Sequence, residues 1–404
     1  MDPLNGTSSE TPASSFRLRA YPRALIGTVL AVLVLGSLLG GGVGTPTGRL
    51  GGDFPSYYGA GSIVAAGDGD RLYDPVLQAA VQADLYEDDD GGYLYFAYPP
   101  YYAYPYAALS LLPFRVAFLV HALLSMLALW LAVRLAAPLL PRLLATKDMQ
   151  LAAMAVLLVS YPMFRSVLGG QNTAFTLLLL AAVWRFASDE NDVAAGLALA
   201  ALLYKPQFGL PLLVLVILAR RWRIVLWWAA GAAGLYLAGA AVLGWSWVQG
   251  WLEQVSSFND VNIEVNGFLM VSAAGWFQNL LESPASLVLA AAVIAIAFGA
   301  AAVVWWRLAL TTVSMAIAAP VIVIVAPSAL YYDAALGVVA FGAALNRRRA
   351  RAGYALVAFV VLSYSQLAAE ALGWSPLFLV LVGTAVWAMA AYSGAEDPPR
   401  VTPV

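Results

Sequence analysis

About twelve apolar runs separated by short polar links constrain this chain more than any other feature. A run of about 20 apolar residues can cross the hydrocarbon core of a bilayer as a helix. Helices satisfy every backbone polar group there without water. The runs lie near 24–43, 107–137, 150–168, 172–187, 193–204, 208–220, 224–243, 286–305, 308–326, 334–346, 352–369 and 375–392. The short ones, 193–204 and 208–220, read as broken or re-entrant, a form tolerated where protein buries the backbone or it lines a cavity. Hydrophobic residues make up 62% of the chain and charged ones 11%, against roughly a quarter charged in a soluble domain. Too few charges remain to cover a water-facing surface, so the expected fold class is an all-α polytopic membrane protein of about twelve transmembrane helices.

Basic residues orient the spans. Arg17, Arg19 and Arg23 precede the first run; Arg134, Arg142 and Lys147 follow the second, and Arg185 the fourth. Arg220, Arg221 and Arg223 join the sixth to the seventh, Arg307 follows the eighth, and Arg347, Arg348, Arg349 and Arg351 follow the tenth. Alternating segments put all of these on one side, which predicts cytosolic N and C termini. The first run is longer than a signal-peptide core and lacks an obvious small-residue cleavage site, so it reads as a retained helix. The organisation expected is a disordered cytosolic tail over 1–22, a transmembrane domain over 23–392 and a cytosolic tail over 393–404. Extracytoplasmic loops are expected at 44–106 and 244–285. The second loop carries Trp245, Trp247, Trp251, Phe258, Trp276 and Phe277, which suit an interfacial belt or a clasp on a lipid or sugar.

Several function classes drop out. The chain has no cysteine, so thiolate chemistry is excluded, and its single histidine, His121, cannot build a multi-histidine metal site. A net charge of −2 without a basic stripe excludes nucleic acid as a partner. The acidic run Glu87, Asp88, Asp89, Asp90 reads as a solvated loop, and neither a metal nor a cofactor is expected.

Polar groups near membrane depth are costly and therefore functional candidates. Five clusters fall on the outer side of this map. Asp53 lies in Gly51-Gly52-Asp53-Phe54-Pro55-Ser56-Tyr57-Tyr58, where a helix N-cap is the competing reading. Tyr98-Pro99-Pro100-Tyr101 reads as the start of a helix. Arg165 follows Tyr161-Pro162-Met163-Phe164 and precedes Gly169-Gly170-Gln171-Asn172; it is either a phosphate ligand or a snorkelling arginine. Tyr204-Lys205-Pro206-Gln207 holds a lysine on the side where positive charge is scarce, which marks it as an anion ligand. Pro327-Ser328-Ala329-Leu330-Tyr331-Tyr332-Asp333 opens the tenth run; Asp333 is placed to orient Lys205 or Arg165, or to cap its own helix. A carboxylate, two cations, amides and aromatics on one face suit an anionic lipid substrate.

In this order the clusters resemble the superfamily C integral-membrane glycosyltransferases that use polyprenyl-phosphate sugars, in particular the α-1,2-mannosyltransferase family. The matching pieces are Asp53-Phe54 with Tyr57-Tyr58, Tyr98-Pro99-Pro100, Gly170-Gln171-Asn172, Tyr204-Lys205-Pro206-Gln207 and Tyr332-Asp333. Some relatives carry a histidine before the Tyr-Asp pair; this chain has Ser328-Ala329-Leu330 instead. The resemblance implies inverting transfer of a sugar, mannose foremost, from a polyprenyl-phosphate donor to a lipid or glycan acceptor hydroxyl at the extracytoplasmic face of the plasma membrane. It makes Asp53 the catalytic residue. The expected donor phosphate and sugar ligands are Lys205, Gln207, Arg165, Gln171, Asn172, Tyr58, Tyr332 and Asp333. A transporter or flippase of a polyprenyl-linked sugar or lipid is the alternative, using the same cations without a base.

Overall fold

The computed structural model of the protein describes residues 12–39, 50–85, 93–281, 283–347 and 352–392. Among these, the chain is all-helical, with one isolated bridge between Met270 and Leu330. Helix α1 spans Pro12–Leu39 and is followed by α2 (Phe54–Ala65), α3 (Pro75–Ala83) and α4 (Tyr104–Leu109). The chain continues through α5 (Phe114–Ala136), α6 (Lys147–Val159), α7 (Tyr161–Leu168), α8 (Thr173–Ser188), α9 (Asp192–Ala201), α10 (Pro206–Leu218) and α11 (Trp222–Leu243). Next come α12 (Trp247–Asn266), α13 (Ala273–Leu280), α14 (Ala285–Leu308) and α15 (Thr312–Ile324). The 3-10 segment Tyr331–Gly337 leads into α16 (Val338–Arg347), with α17 (Ala352–Ser363), α18 (Ala369–Leu372) and α19 (Leu377–Tyr392) completing the fold.

Each apolar run contains a helix, but length separates them. By length and composition four stretches can cross a membrane: Phe114–Leu139, Trp222–Leu243, Ala285–Leu308 and Ala355–Leu372. A fifth is the pair α6 and α7, bent by 77°. The remaining apolar helical stretches, Tyr21–Gly36 within α1 among them, are 10–17 residues long. Protein encloses α15, which is buried along Ser314–Ile324, whereas Tyr21–Gly36 of α1 is mostly exposed and only 11% of the α11 and α14 windows is covered. α11 and α14 therefore form an apolar periphery around a core that includes α5, α8 and α15.

Several boundaries differ from the sequence reading. The run expected from 107 starts at Phe114, because Pro113 sets a new helix start after α4 ends at Leu109. The run expected over 150–168 is not one rod, since Ser160 is extended and Pro162 starts α7 afresh. The loop 44–106 holds α2, α3 and α4, and the loop 244–285 holds α12 and α13. α1 begins at Pro12, inside the segment expected as a tail. Residues 1–11 and 393–404, the acidic run 87–90, and Arg348, Arg349 and Arg351 lie outside the described residues.

Candidate active site

The site begins with two glycine turns pressed together. Gly51 and Gly52 have φ of +90° and +49°, and Gly170 has +63°, a region that side chains with a Cβ rarely enter. A Cβ on Gly52 would fall 2.6 Å from the Gly169 carbonyl oxygen, and one on Gly170 would fall 2.5 Å from that of Gly51. Glycine is needed at both for sterics as well as for conformation. The contact lets the Asp53 N–H donate to the Gly169 oxygen at 3.0 Å, tying the start of α2 to the end of α7. Asp53 occupies the N-cap position of α2, but its carboxylate makes no capping hydrogen bond. The side chain stays available to the site, which settles the cap reading.

The electrostatics around Asp53 oppose one another. Burial pushes its carboxyl up from the ordinary value to about 6, against the lowering pull of Lys205 and, more weakly, Arg165. Its negative charge is also felt at Tyr57, Tyr331 and Tyr332. A carboxylate with a pKa near 6 is ionised at neutral pH and basic enough to accept a proton.

The two cations of the site differ in their partners. Lys205 is 3% exposed, and its ammonium donates to Asp333 Oδ1 at 2.8 Å. Thr173 donates to the same oxygen at 3.3 Å, and the rings of Phe208 and Tyr332 flank the ammonium at 5.4 and 5.7 Å. Of the two partners weighed for Asp333, the structure chooses Lys205. Arg165 is half-buried on α7, its Nε donating to the Tyr331 hydroxyl at 3.4 Å and its guanidinium 5.9 Å from the Tyr161 ring. Among the described residues no carboxylate lies within ion-pair distance of it. Nε is the one Arg165 donor with a hydrogen bond among the described residues.

Behind the cations stands a buried polar network. The Tyr57 hydroxyl meets that of Tyr98 at 3.0 Å and donates to Gln171 Oε1 at 3.4 Å, while Asn172 Nδ2 donates to Tyr57 at 3.3 Å. Tyr204 donates to the Asn172 carbonyl at 3.1 Å and shares a short hydrogen bond with Thr176. Tyr102 stacks on Tyr204 with centroids 4.8 Å apart. The structure thus brings Asp53, Arg165, Gln171, Asn172, Lys205, Tyr332 and Asp333 together.

Tyr58 does not join them. Its hydroxyl donates to the Leu112 carbonyl at 2.9 Å, and its ring packs edge-on against Phe114. One residue along a helix is a turn of about 100°, so the neighbour Tyr57 takes the inward place. The spacing of four residues from Asp53 was the available signal for Tyr57. Gln207 is half-buried in the first turn of α10, apart from the Lys205–Asp333 bond. Sequence reasoning also missed Thr173, and it placed Tyr98 in a matching motif at a helix start without giving its side chain a role. Of the aromatics read as an interfacial belt or a clasp, three pack against protein: Trp247 lies against Tyr101, Trp251 donates to the Ala97 carbonyl, and Trp276 stacks on Phe378.

The model of glycosyltransferase family 87 matches residues 96–332. That stretch includes Tyr98, Arg165, the Gln171-Asn172 pair, Lys205 and Tyr332; Asp333 lies one residue past its end, and Asp53 lies well before its start. Comparison with curated proteins and with solved structures gave no match. The matched region covers more than half of the chain, and its helices are those of a membrane protein: the chain belongs to glycosyltransferase family 87.

Proposed function

We propose that this glycosyltransferase moves a sugar, mannose foremost, from a polyprenyl monophosphate to a hydroxyl of a lipid or glycan acceptor. In this reading the reaction runs at the extracytoplasmic face of the plasma membrane, with about twelve spans and both termini in the cytosol. One observation carries it: a carboxylate of raised pKa, Asp53, lies within the field of two cations, in a membrane protein of a glycosyltransferase family.

Asp53 takes the proton of the acceptor hydroxyl as its oxygen bonds to the anomeric carbon. The bond from that carbon to the phosphate oxygen breaks on the opposite face, and the electron pair leaves with the polyprenyl phosphate. The anomeric centre is inverted, and the proton remains on Asp53. Negative charge grows on the leaving phosphate, where Arg165 supplies free donors and Lys205 a positive field. The amides of Gln171 and Asn172 and the rings of Tyr57 and Tyr332 bound the space for the sugar.

The purified protein in detergent or nanodiscs, assayed with polyprenyl-phosphate-mannose and a panel of lipid and glycan acceptors, tests this reading. Mannosyl transfer is expected from the polyprenyl donor and not from a nucleotide sugar. Transfer from the nucleotide sugar alone overturns the donor assignment. Transfer of another sugar from a polyprenyl phosphate overturns the mannose assignment only.

A further inference from the structure

Tyr204 precedes Lys205 in the chain and is only 5% exposed, so its side chain has no direct part in the chemistry above. Its hydroxyl crosses from the 3-10 turn Leu202–Tyr204 to the start of α8, where it donates to the Asn172 carbonyl at 3.1 Å and meets the Thr176 hydroxyl. That carbonyl is already satisfied within the helix, since the N–H groups of Phe175 and Thr176 donate to it at 3.0 and 3.2 Å. The tyrosine therefore repairs no orphan; it adds a link between two segments. Its ring is held separately, stacked on Tyr102 at 4.8 Å and on Tyr98 at 6.3 Å with planes 15° and 16° apart. A phenylalanine would keep both stacks and escape the cost of burying a hydroxyl. What a tyrosine adds here is the tie to Asn172.

We propose that Tyr204 is a positioning residue for glycosyl transfer, fixing through its hydroxyl the point from which Lys205 reaches into the site. The tie closes a circuit of hydrogen bonds. The Lys205 ammonium donates to Asp333 Oδ1 at 2.8 Å, and the same oxygen accepts at 3.3 Å from Thr173, the neighbour of Asn172. Tyr204 joins Asn172 back to the residue before Lys205, so the circuit runs through α8, the 3-10 segment Tyr331–Gly337 and the turn that opens α10. A lysine ammonium ends a flexible four-carbon stem, so its aim depends on what holds both ends of that stem. Asp333 holds the tip, and Tyr204 holds the backbone beside its root. Without the tie the turn can shift against α8 and carry the ammonium away from the leaving phosphate, where a misplacement of about 1 Å is enough to cost rate.

The inference rests on the reading that Lys205 stabilises the leaving phosphate, and the experiment separates the two. Purified protein in nanodiscs is assayed with polyprenyl-phosphate-mannose and its acceptor. For Tyr204→Phe, kcat is expected to fall at least about 10-fold with the donor KM within about threefold. Its melting temperature should stay within about 4 °C of wild type, because the freed Thr176 hydroxyl can turn to the Asn172 carbonyl at 3.4 Å and leaves no orphan. The deciding measurement is a double-mutant cycle on single-turnover rates. Tyr204→Phe should slow the wild type but cost nothing further in Lys205→Met with Asp333→Leu, where there is no ammonium left to aim. The same loss in both backgrounds marks a merely structural tyrosine and overturns the positioning role, as does an unchanged kcat in Tyr204→Phe. Should Tyr204→Phe not fold, Tyr204→Phe with Thr176→Val, which removes both hydroxyls together, takes its place under the same readings. The background variant identifies the level of failure. If Lys205→Met with Asp333→Leu keeps wild-type turnover, the assignment of Lys205 to the phosphate falls; if it is impaired while Tyr204→Phe behaves as wild type, only the positioning role falls.

Discussion

Asp53 owes its chemical value to a placement that the fold tolerates at a cost. Its carboxyl is raised from 3.8 to about 6, so the folded state holds the proton more tightly than the unfolded chain does. The stabilisation from that proton is present below about pH 4 and is lost as pH rises through about 6. Asp53→Asn should then melt higher than wild type at pH 8 and no higher at pH 4, while turnover falls at least ~100-fold and donor binding changes little. Thermal melts at both pH values with single-turnover assays check this, and near-wild-type transfer removes Asp53 from the mechanism. Lys205 behaves differently because Asp333 already completes it. Lys205→Met leaves a buried carboxylate unpaired and should destabilise by roughly 3–5 kcal/mol. Lys205→Met with Asp333→Leu should recover stability but not turnover if the ammonium also stabilises the leaving phosphate. Recovery of both would reduce Lys205 to a structural partner and leave Arg165 as the cation of the phosphate.

At the level of elements, the break between α6 and α7 decides where Arg165 points. A broken helix leaves orphan backbone groups that lipid cannot satisfy. Here the Tyr161 N–H donates to Ser363 Oγ at 2.9 Å, and the Tyr364 hydroxyl donates to the Val159 carbonyl at 3.0 Å. The end of α17 thus repairs the break that Pro162 and Ser160 create. Removing both partners, Ser363→Ala with Tyr364→Phe, should destabilise by about 1–3 kcal/mol. It should also lower turnover, because α7 carries Arg165 and ends in the Gly169–Gly170 turn. Activity and melting temperature unchanged in the double variant would show that the bend holds itself. The apolar run revealed a helix at 150–168, and Pro162 marked a place where it could break. The partners that make a 77° bend affordable come from more than 200 residues along the chain, so no local pattern showed it.

On the scale of the whole molecule, charge separates the two ends. Arg23 pairs with Asp148, Arg185 with Asp189 and Arg221 with Asp192, all at the end that the basic-residue pattern assigns to the cytosol. Asp53, Arg165, Lys205 and Asp333 gather at the other. Because the chain has no cysteine, single exposed positions can be mapped without background. Cysteines replacing Asp70 and Gln249 should react with an impermeant thiol reagent in intact cells, and those replacing Lys147 and Arg223 only after permeabilisation. The reverse pattern would invert the map and move the reaction to the cytosol.

Composition and apolar run length by themselves determined that this is a helical membrane protein, because hydrocarbon admits few ways to satisfy a backbone and none that tolerates many charges. Short polar clusters in apolar surroundings likewise marked Asp53, Arg165, Gln171, Asn172, Lys205 and Asp333, since each is too costly at membrane depth to be kept idly. The partnerships were decided by tertiary structure. Whether Lys205 meets Asp333 or a ligand and whether Tyr57 or Tyr58 faces inward both depend on contacts between distant segments. Periodicity reports which face of an element is apolar; it does not report which other element arrives to cover it.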